Sequence, residues 1–194
     1  MGTPKALLAV AGEPMLQRVI GNLRRADSIF PIVVVTGHEP HLIRPILRRA
    51  ETIEVHNPGH ADGEMISSIQ IGVAEIRGLV EAFFIVLADQ PMIRPHTLNI
   101  MSSTWRARRP QVLLPSFDGK HGHPILLNAS SIGEIMQLPC GATLKTFTSR
   151  HAAATLDLEV NDPAILEDID TPEQYQRTLQ QQHEDVSCIS TTAV

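Results

Sequence analysis

The chain has 194 residues, 43% of them hydrophobic and 19% charged, with a formal net charge of −5. That length suits one domain with a sizeable core, and the composition is that of an ordinary globular protein. Lysine and arginine cluster only in short pairs such as Arg24-Arg25 and Arg48-Arg49, which argues against a nucleic-acid surface, and no apolar run is long enough to span a membrane.

An anionic ligand would therefore have to be held by a local site or by a metal. The two cysteines, Cys140 and Cys188, make neither a disulfide framework nor a zinc spacing, and no signal peptide is visible. The expected setting is the cytoplasm.

In chain order, helical spacing covers Met15–Arg25, and a β-branched run at Ile32–Thr36 reads as a strand. Helix Leu42–Arg49, strand Ile53–His56, helix Ser67–Gly78 and strand Phe83–Leu87 follow, then helix Pro95–Arg108. Two strands, Val112–Leu114 and Ile125–Leu127, precede helices Ser131–Leu138 and Leu144–Arg150 and a strand at Thr155–Val160. A last helix starts at Asp170-Thr171-Pro172-Glu173, where Asp or Thr can cap and Pro fits the first turn. Most strand runs are continuously apolar, which predicts cover on both faces. The alternation predicts an α/β fold: a mainly parallel mixed sheet between two layers of helices. From Gln180 the sequence turns polar and aperiodic, so residues 1–179 read as the domain and 180–194 as a disordered tail.

In such sheets ligands bind beyond the carboxyl ends of the strands. Gly37-His38, Asn57-Pro58-Gly59, Gly63-Glu64-Met65, Asp89-Gln90-Pro91 and the run Phe117–Pro124 all follow strands and collect at that edge. Asp89 is the sharpest candidate, because a carboxylate ending an apolar strand suits Mg²⁺, which takes one or two protein carboxylates. A turn or N-cap aspartate is the plainer reading of the same residue. Asp168 and Asp170, two apart, point the same way in extended chain, so one could share the metal while the other caps the helix. Lys5 would answer triphosphate charge, with Gly2 admitting close backbone N–H groups; a lysine so placed is otherwise simply exposed. His121-Gly122-His123 is weak for zinc and reads better as a polar substrate loop, with plain surface exposure as its competitor. Ser67-Ser68 suits a helix cap and, with Gly63, an anion site.

These pieces, in this order, resemble the MobA-like nucleotidyltransferases, and among them the molybdenum cofactor cytidylyltransferase branch. The matching stretches are Met1–Leu8, Val35–His38, Asn57-Pro58, Gly63 with Met65 and Ser67-Ser68, Leu87–Pro91, Gly122–Pro124 and Asp168–Tyr175. They span residues 1 to about 175. The resemblance implies a Rossmann-like fold and Mg²⁺-dependent transfer of CMP from CTP to a phosphorylated acceptor such as molybdopterin, with pyrophosphate released. It implies Asp89 and Asp170, or Asp168, as metal ligands, and Lys5 as a charge stabiliser. Gly2, Thr36, Gly37, Asn57, Gly63 and Ser67 would border the nucleotide, and His121, Gly122 and His123 would face the acceptor.

Two departures stand out. The family signature LAAGxSxRMGxPK is represented here only from its methionine, so the stretch that supplies a central first strand and a glycine-rich turn is not in the sequence. Near residue 141, a Gly-x-Arg-like element is replaced by Gly141-Ala142-Thr143-Leu144-Lys145, where Lys145 could face the acceptor phosphate but lacks the bidentate fork of arginine. Readings that compete with the cytidylyltransferase are a GTP-using or other-acceptor enzyme and a non-catalytic module that delivers the cofactor to a molybdenum hydroxylase.

Overall fold

Period-two alternation along the strands decides which helices pack where. The computed structural model describes residues 4–62 and 65–180. Its strands are β1 (Ala9–Val10), β2 (Glu13–Pro14), β3 (Val33–Thr36), β4 (Ile53–His56), β5 (Ala82–Ile85), β6 (Val112–Phe117), β7 (Lys120–His121), β8 (Ile125–Asn128) and β9 (Thr155–Glu159). The helices are α1 (Met15–Arg25), α2 (Pro40–Arg49), α3 (Met65–Glu75), α4 (Pro95–Arg108), α5 (Ile132–Ile135), α6 (Leu144–Arg150) and α7 (172–180).

Val33, Phe83, Ile85, Val112, Leu114, Ile125 and Leu127 turn to one face and pack with α3, α5 and α6. Their neighbours Val34, Phe84 and Val86 turn to the other face, against α1 and α2. Leu113 and Leu126 share that second face and meet Met101 and Trp105 of α4. Side chains of successive strand residues point to opposite faces. A nearly unbroken apolar run can therefore fill two cores at once, and the expected three-layer α/β arrangement results.

β3 pairs with β4 in parallel, while β5, β8, β6 and β9 adjoin in that order, with β7 folded against β6. The sheet is mixed, as expected, but its parallel share is smaller than the alternation suggests. Among the described strands only β3–β4 and β6–β9 are parallel, because β8 lies between β5 and β6 and runs against both. The reversal comes from a hairpin within a segment whose composition reads as loop. Phe117 pairs with Lys120 across Asp118-Gly119, both at positive φ (50° and 71°), the conformation that Asp-Gly favours in two-residue hairpins.

The expected burial also needs correcting in one place. Val112, Leu113 and Ile125–Leu127 are buried, but Val33–Val35 are only half-buried and Ile53 of β4 is exposed. Val33–Val35 line a cleft of about 540 Å³ between β3 and β5, bounded by both strands and by α1 and α3. At ~24 cal/mol per Å³, a fully enclosed void of that size would cost roughly 13 kcal/mol. That matches the whole stability of a typical domain.

Candidate active site

The chain turns sharply after β5, and two contacts fix the turn. Gln90 N donates to Leu87 O at 3.4 Å, and buried Asn22 of α1 donates through Nδ2 to Pro91 O at 2.9 Å. Asp89 is held in the turn half-buried, and its Oδ1 is shielded from solvent with no hydrogen-bond partner. A shielded carboxylate oxygen without a donor is costly unless a cation or proton answers it. Burial pushes the Asp89 carboxyl above the ordinary carboxylate range, and the charges of Asp170 and Asp168 add to the rise, while its own backbone and Lys5 oppose it.

The second segment of the site comes from the far end of the chain. Ile169 N donates to Asp89 O at 3.0 Å, which brings Asp168 and Asp170 to the same edge. Their roles divide. Asp170 holds Lys5 Nζ at 2.8 Å, whereas Asp168 Oδ1 accepts from Gln174 Nε2 at 3.1 Å. The cap of α7 is neither aspartate. Thr171 Oγ1 accepts from Gln174 N at 3.2 Å, and Gln174 Oε1 accepts from Thr171 N at 2.8 Å, a reciprocal capping box. Asp170 is thereby left with only Lys5 among its described side-chain contacts, an arrangement a cation or a phosphate can enter.

His123 completes this edge. Its ring is half-buried, Nδ1 has no partner, and burial lowers its pKa, with the Ile85 backbone and the Asp89 charge pulling the other way. Gly122 makes the placement possible. A Cβ there would lie 2.2 Å from Ile165 O, and the segment between β7 and β8 is pinned by Gly122 N donating to Pro115 O at 3.0 Å and His123 N donating to Ile165 O at 2.9 Å. His121 goes elsewhere: it is exposed on β7, 3.0 Å from Asp157 of β9. Lys145 is exposed near the start of α6, with no described contact to the Asp89 group.

Beside this group, Thr36 ends β3 buried, with Oγ1 3.4 Å from both Val55 O and His56 Nδ1. Gly37 lies so near His60 that a Cβ would fall 2.9 Å from the Cβ of His60 and 3.0 Å from its ring Cγ. Asn57 is buried and acts as a scaffold. Its Nδ2 donates to Ser67 Oγ and Ser68 Oγ, both at 3.0 Å, and its Oδ1 accepts from Gly59 N at 2.9 Å. Gly2 and Gly63 lie outside the described residues.

Two residues that support the site are not evident from the sequence. Buried Asp162 accepts from Thr97 Oγ1 at 2.6 Å, Arg94 N at 3.1 Å and Ala164 N at 3.3 Å, joining the start of α4 to the segment after β9. An Asp before Pro163 is a recognisable turn signal, but its partners in α4 lie 65 to 68 residues away. Tyr175 donates its hydroxyl to Ala9 O at 2.6 Å, fastening α7 over the N-terminal segment that carries Lys5.

Comparison with known proteins decides the family. The MobA-like NTP transferase domain matches residues 1–155. This chain belongs to that family. Its reaction class is nucleotidyl transfer. Asp168 and Asp170 lie beyond the matched residues, so it is the fold that brings them to Asp89. A curated relative, the molybdenum cofactor cytidylyltransferase of Escherichia coli K12, is 27% identical over 148 residues, covering 74% of this chain and 71% of its own. The crystal structure of Rv0371c from Mycobacterium tuberculosis superposes with a TM-score of 0.78 at 23% identity, covering 93% of this chain and 90% of that one. A second structure of Rv0371c, in complex with manganese, gives 0.74 at 22% identity and 91% of each chain. Among the described residues, no helix is long and apolar enough to cross a membrane.

Proposed function

We propose that this protein is a Mg²⁺-dependent cytidylyltransferase that transfers CMP from CTP to a phosphorylated pterin acceptor such as molybdopterin, in the cytoplasm. The observation that carries the reading is the shielded, partnerless Oδ1 of Asp89 beside Asp170 and Lys5. Two carboxylates and one lysine suit a divalent cation bound to a triphosphate. Asp89 and Asp170 would hold that cation, whose chemistry is to neutralise charge on the triphosphate. The manganese complex of Rv0371c supports a divalent ion in this fold.

An oxygen of the acceptor phosphate attacks the α-phosphorus of CTP, the bond to the bridging α–β oxygen breaks, and pyrophosphate leaves with the electron pair. The chain's own contribution is alignment and charge. Lys5, held at the site by Asp170, passes to the phosphates as they enter. The Thr36–Gly37 turn and the Asn57-anchored Ser67 face the nucleotide side. Gly122 and His123 border the acceptor, and His123, kept neutral by burial, offers a hydrogen bond without adding charge. No strong base is required, because the attacking phosphate is already ionised near neutral pH. Handing the finished cofactor to a molybdenum hydroxylase would follow as the partner interaction.

The test is pyrophosphate release from CTP, and separately from GTP, with molybdopterin and Mg²⁺, in wild type, Asp89→Asn and Asp170→Asn. CTP-specific release that both variants lose supports the reading. Release with GTP alone would replace the base assignment. Release unchanged in Asp89→Asn would remove the metal site.

A further inference from the structure

Asp168 and Asp170 flank buried Ile169, whose N–H donates to Asp89 O at 3.0 Å. Both are exposed, and the charges of both act on Asp89. They differ in one respect: Asp170 holds Lys5 Nζ at 2.8 Å. Two like residues at one edge need a third group to tell them apart.

Gln174, half-buried in the first turn of α7, meets both. Its Oε1 accepts from Asp170 N at 2.9 Å and from Thr171 N at 2.8 Å, which fixes the backbone that carries Asp170. Its Nε2 donates to Asp168 Oδ1 at 3.1 Å, which ties that carboxylate to α7. The two ends of one amide therefore do different work. A capping box needs only an acceptor at this position, and glutamate serves as well as glutamine. The donor is what glutamine adds, and it goes to Asp168. A carboxylate in its place would set like charge against Asp168 Oδ1. Among the described contacts, Gln174 meets Asp170 only through its backbone, so the Asp170 side chain stays with Lys5.

We propose that Gln174 is a positioning residue that selects between the two aspartates: it keeps the Asp168 carboxylate on α7 and leaves that of Asp170 to Lys5 and the divalent cation. The inference rests on the cation reading given above and adds what chooses among its carboxylates. Magnesium bound with phosphates takes one or two protein carboxylates. A third converging on Asp89 would add repulsion without a place on the ion.

The experiment turns on the direction of one hydrogen bond. Gln174→Glu keeps the acceptor of the cap and loses the donor to Asp168. Adding Asp168→Asn to it reverses donor and acceptor, restores the bond and returns the net charge to that of wild type. Asp170→Asn is then introduced into wild type, Gln174→Glu and the reversed pair, and the Mn²⁺ affinity of the nucleotide-free chain is measured by titration. In wild type and in the reversed pair, Asp170→Asn should weaken Mn²⁺ binding on the order of tenfold or more. In Gln174→Glu the loss should be several times smaller, because the released Asp168 takes the vacant place. An equal loss in all three backgrounds overturns the proposal. So does a loss from Asp168→Asn in wild type as large as that from Asp170→Asn. Amide exchange at Thr171 should not change in Gln174→Glu; if it quickens while the Asp170→Asn losses stay equal, Gln174 is a cap alone. The ζ-ammonium resonance of Lys5 in the metal-free chain carries the same comparison. Asp170→Asn should shift it least in the Gln174→Glu background. If Asp89→Asn leaves Mn²⁺ affinity unchanged, the cation reading falls. The lysine resonance then decides the positioning by itself, and equal shifts in all three backgrounds overturn it.

Discussion

Gly122→Ala is the sharpest probe of how the fold places the site. Residue 122 is not held at positive φ, so no backbone strain is at issue, only space. The added Cβ would lie 2.2 Å from Ile165 O and 2.7 Å from Ile165 C, distances that no side-chain rotation relieves because both atoms are backbone. The β7–β8 connection must move off the Ile165 segment, which endangers the 2.9 Å bond from His123 N to Ile165 O. Overpacking of this kind costs ~1–3 kcal/mol, and losing one net hydrogen bond ~1 kcal/mol more. The expected loss is thus about 2–4 kcal/mol by urea denaturation. Gly133→Ala is the matched control: nothing lies within 4 Å of its Cβ, and alanine favours a helix by up to about 1 kcal/mol. If Gly122→Ala stays within about 0.5 kcal/mol of wild type, the range of an uneventful substitution, the close approach is refuted as the reason for glycine.

Asp162→Ala should cost roughly 3–5 kcal/mol in the same assay, since it strands Thr97 Oγ1 and two backbone donors in the interior. Asn57→Ala should cost about 2–3 kcal/mol and speed amide exchange at Gly59, the donor its Oδ1 holds. Asp89→Asn should do the opposite and raise stability at neutral pH when no divalent ion is present. The folded-state pKa of Asp89 is raised above the ordinary 3.8, so the folded chain binds more protons, and this group's contribution falls as pH rises from about 3.8 through the folded value. The stability gap between variant and wild type should open across that window and vanish below it. Added Mg²⁺ should then stabilise wild type alone, as thermal shift would show.

What the sequence disclosed, and what it hid, follows the range of the interactions involved. The bounds of α1, α4 and α6 are legible because their apolar spacing is local, and so is β4. Asp89 is legible as a candidate because an acidic residue closely follows the apolar run FFIVL, at the edge where the other polar loops collect. The antiparallel insertion of β8 is hidden, because strand pairing depends on partners that no local pattern names. The Asp118-Gly119 turn that enables it is nonetheless a local signal of a hairpin. Asn57 and Ser67 are visible as polar residues at the right edge, yet their mutual hydrogen bond shows only in three dimensions. His121 and His123, two residues apart, cannot be separated from sequence alone. The strand at Lys120–His121 turns one toward Asp157, and the glycine between them lets the other approach Asp89.

Two shielded carboxylates show how scaffold and site are told apart. Asp162 is more deeply buried than Asp89, yet its oxygens accept from three donors and Arg94 Nε lies 3.8 Å away, so its charge is answered within the fold. Asp89 is less buried, yet it has one oxygen with no partner, and its pKa is driven upward first by desolvation and then by the charges of Asp170 and Asp168. Burial alone would have ranked Asp162 first. The deciding quantity is unanswered charge: a fold that leaves Asp89 in this state gives up stability that a bound cation can restore. The same edge keeps Lys5 within 2.8 Å of Asp170, the pair of opposite charges on which the proposed cation and phosphate would converge.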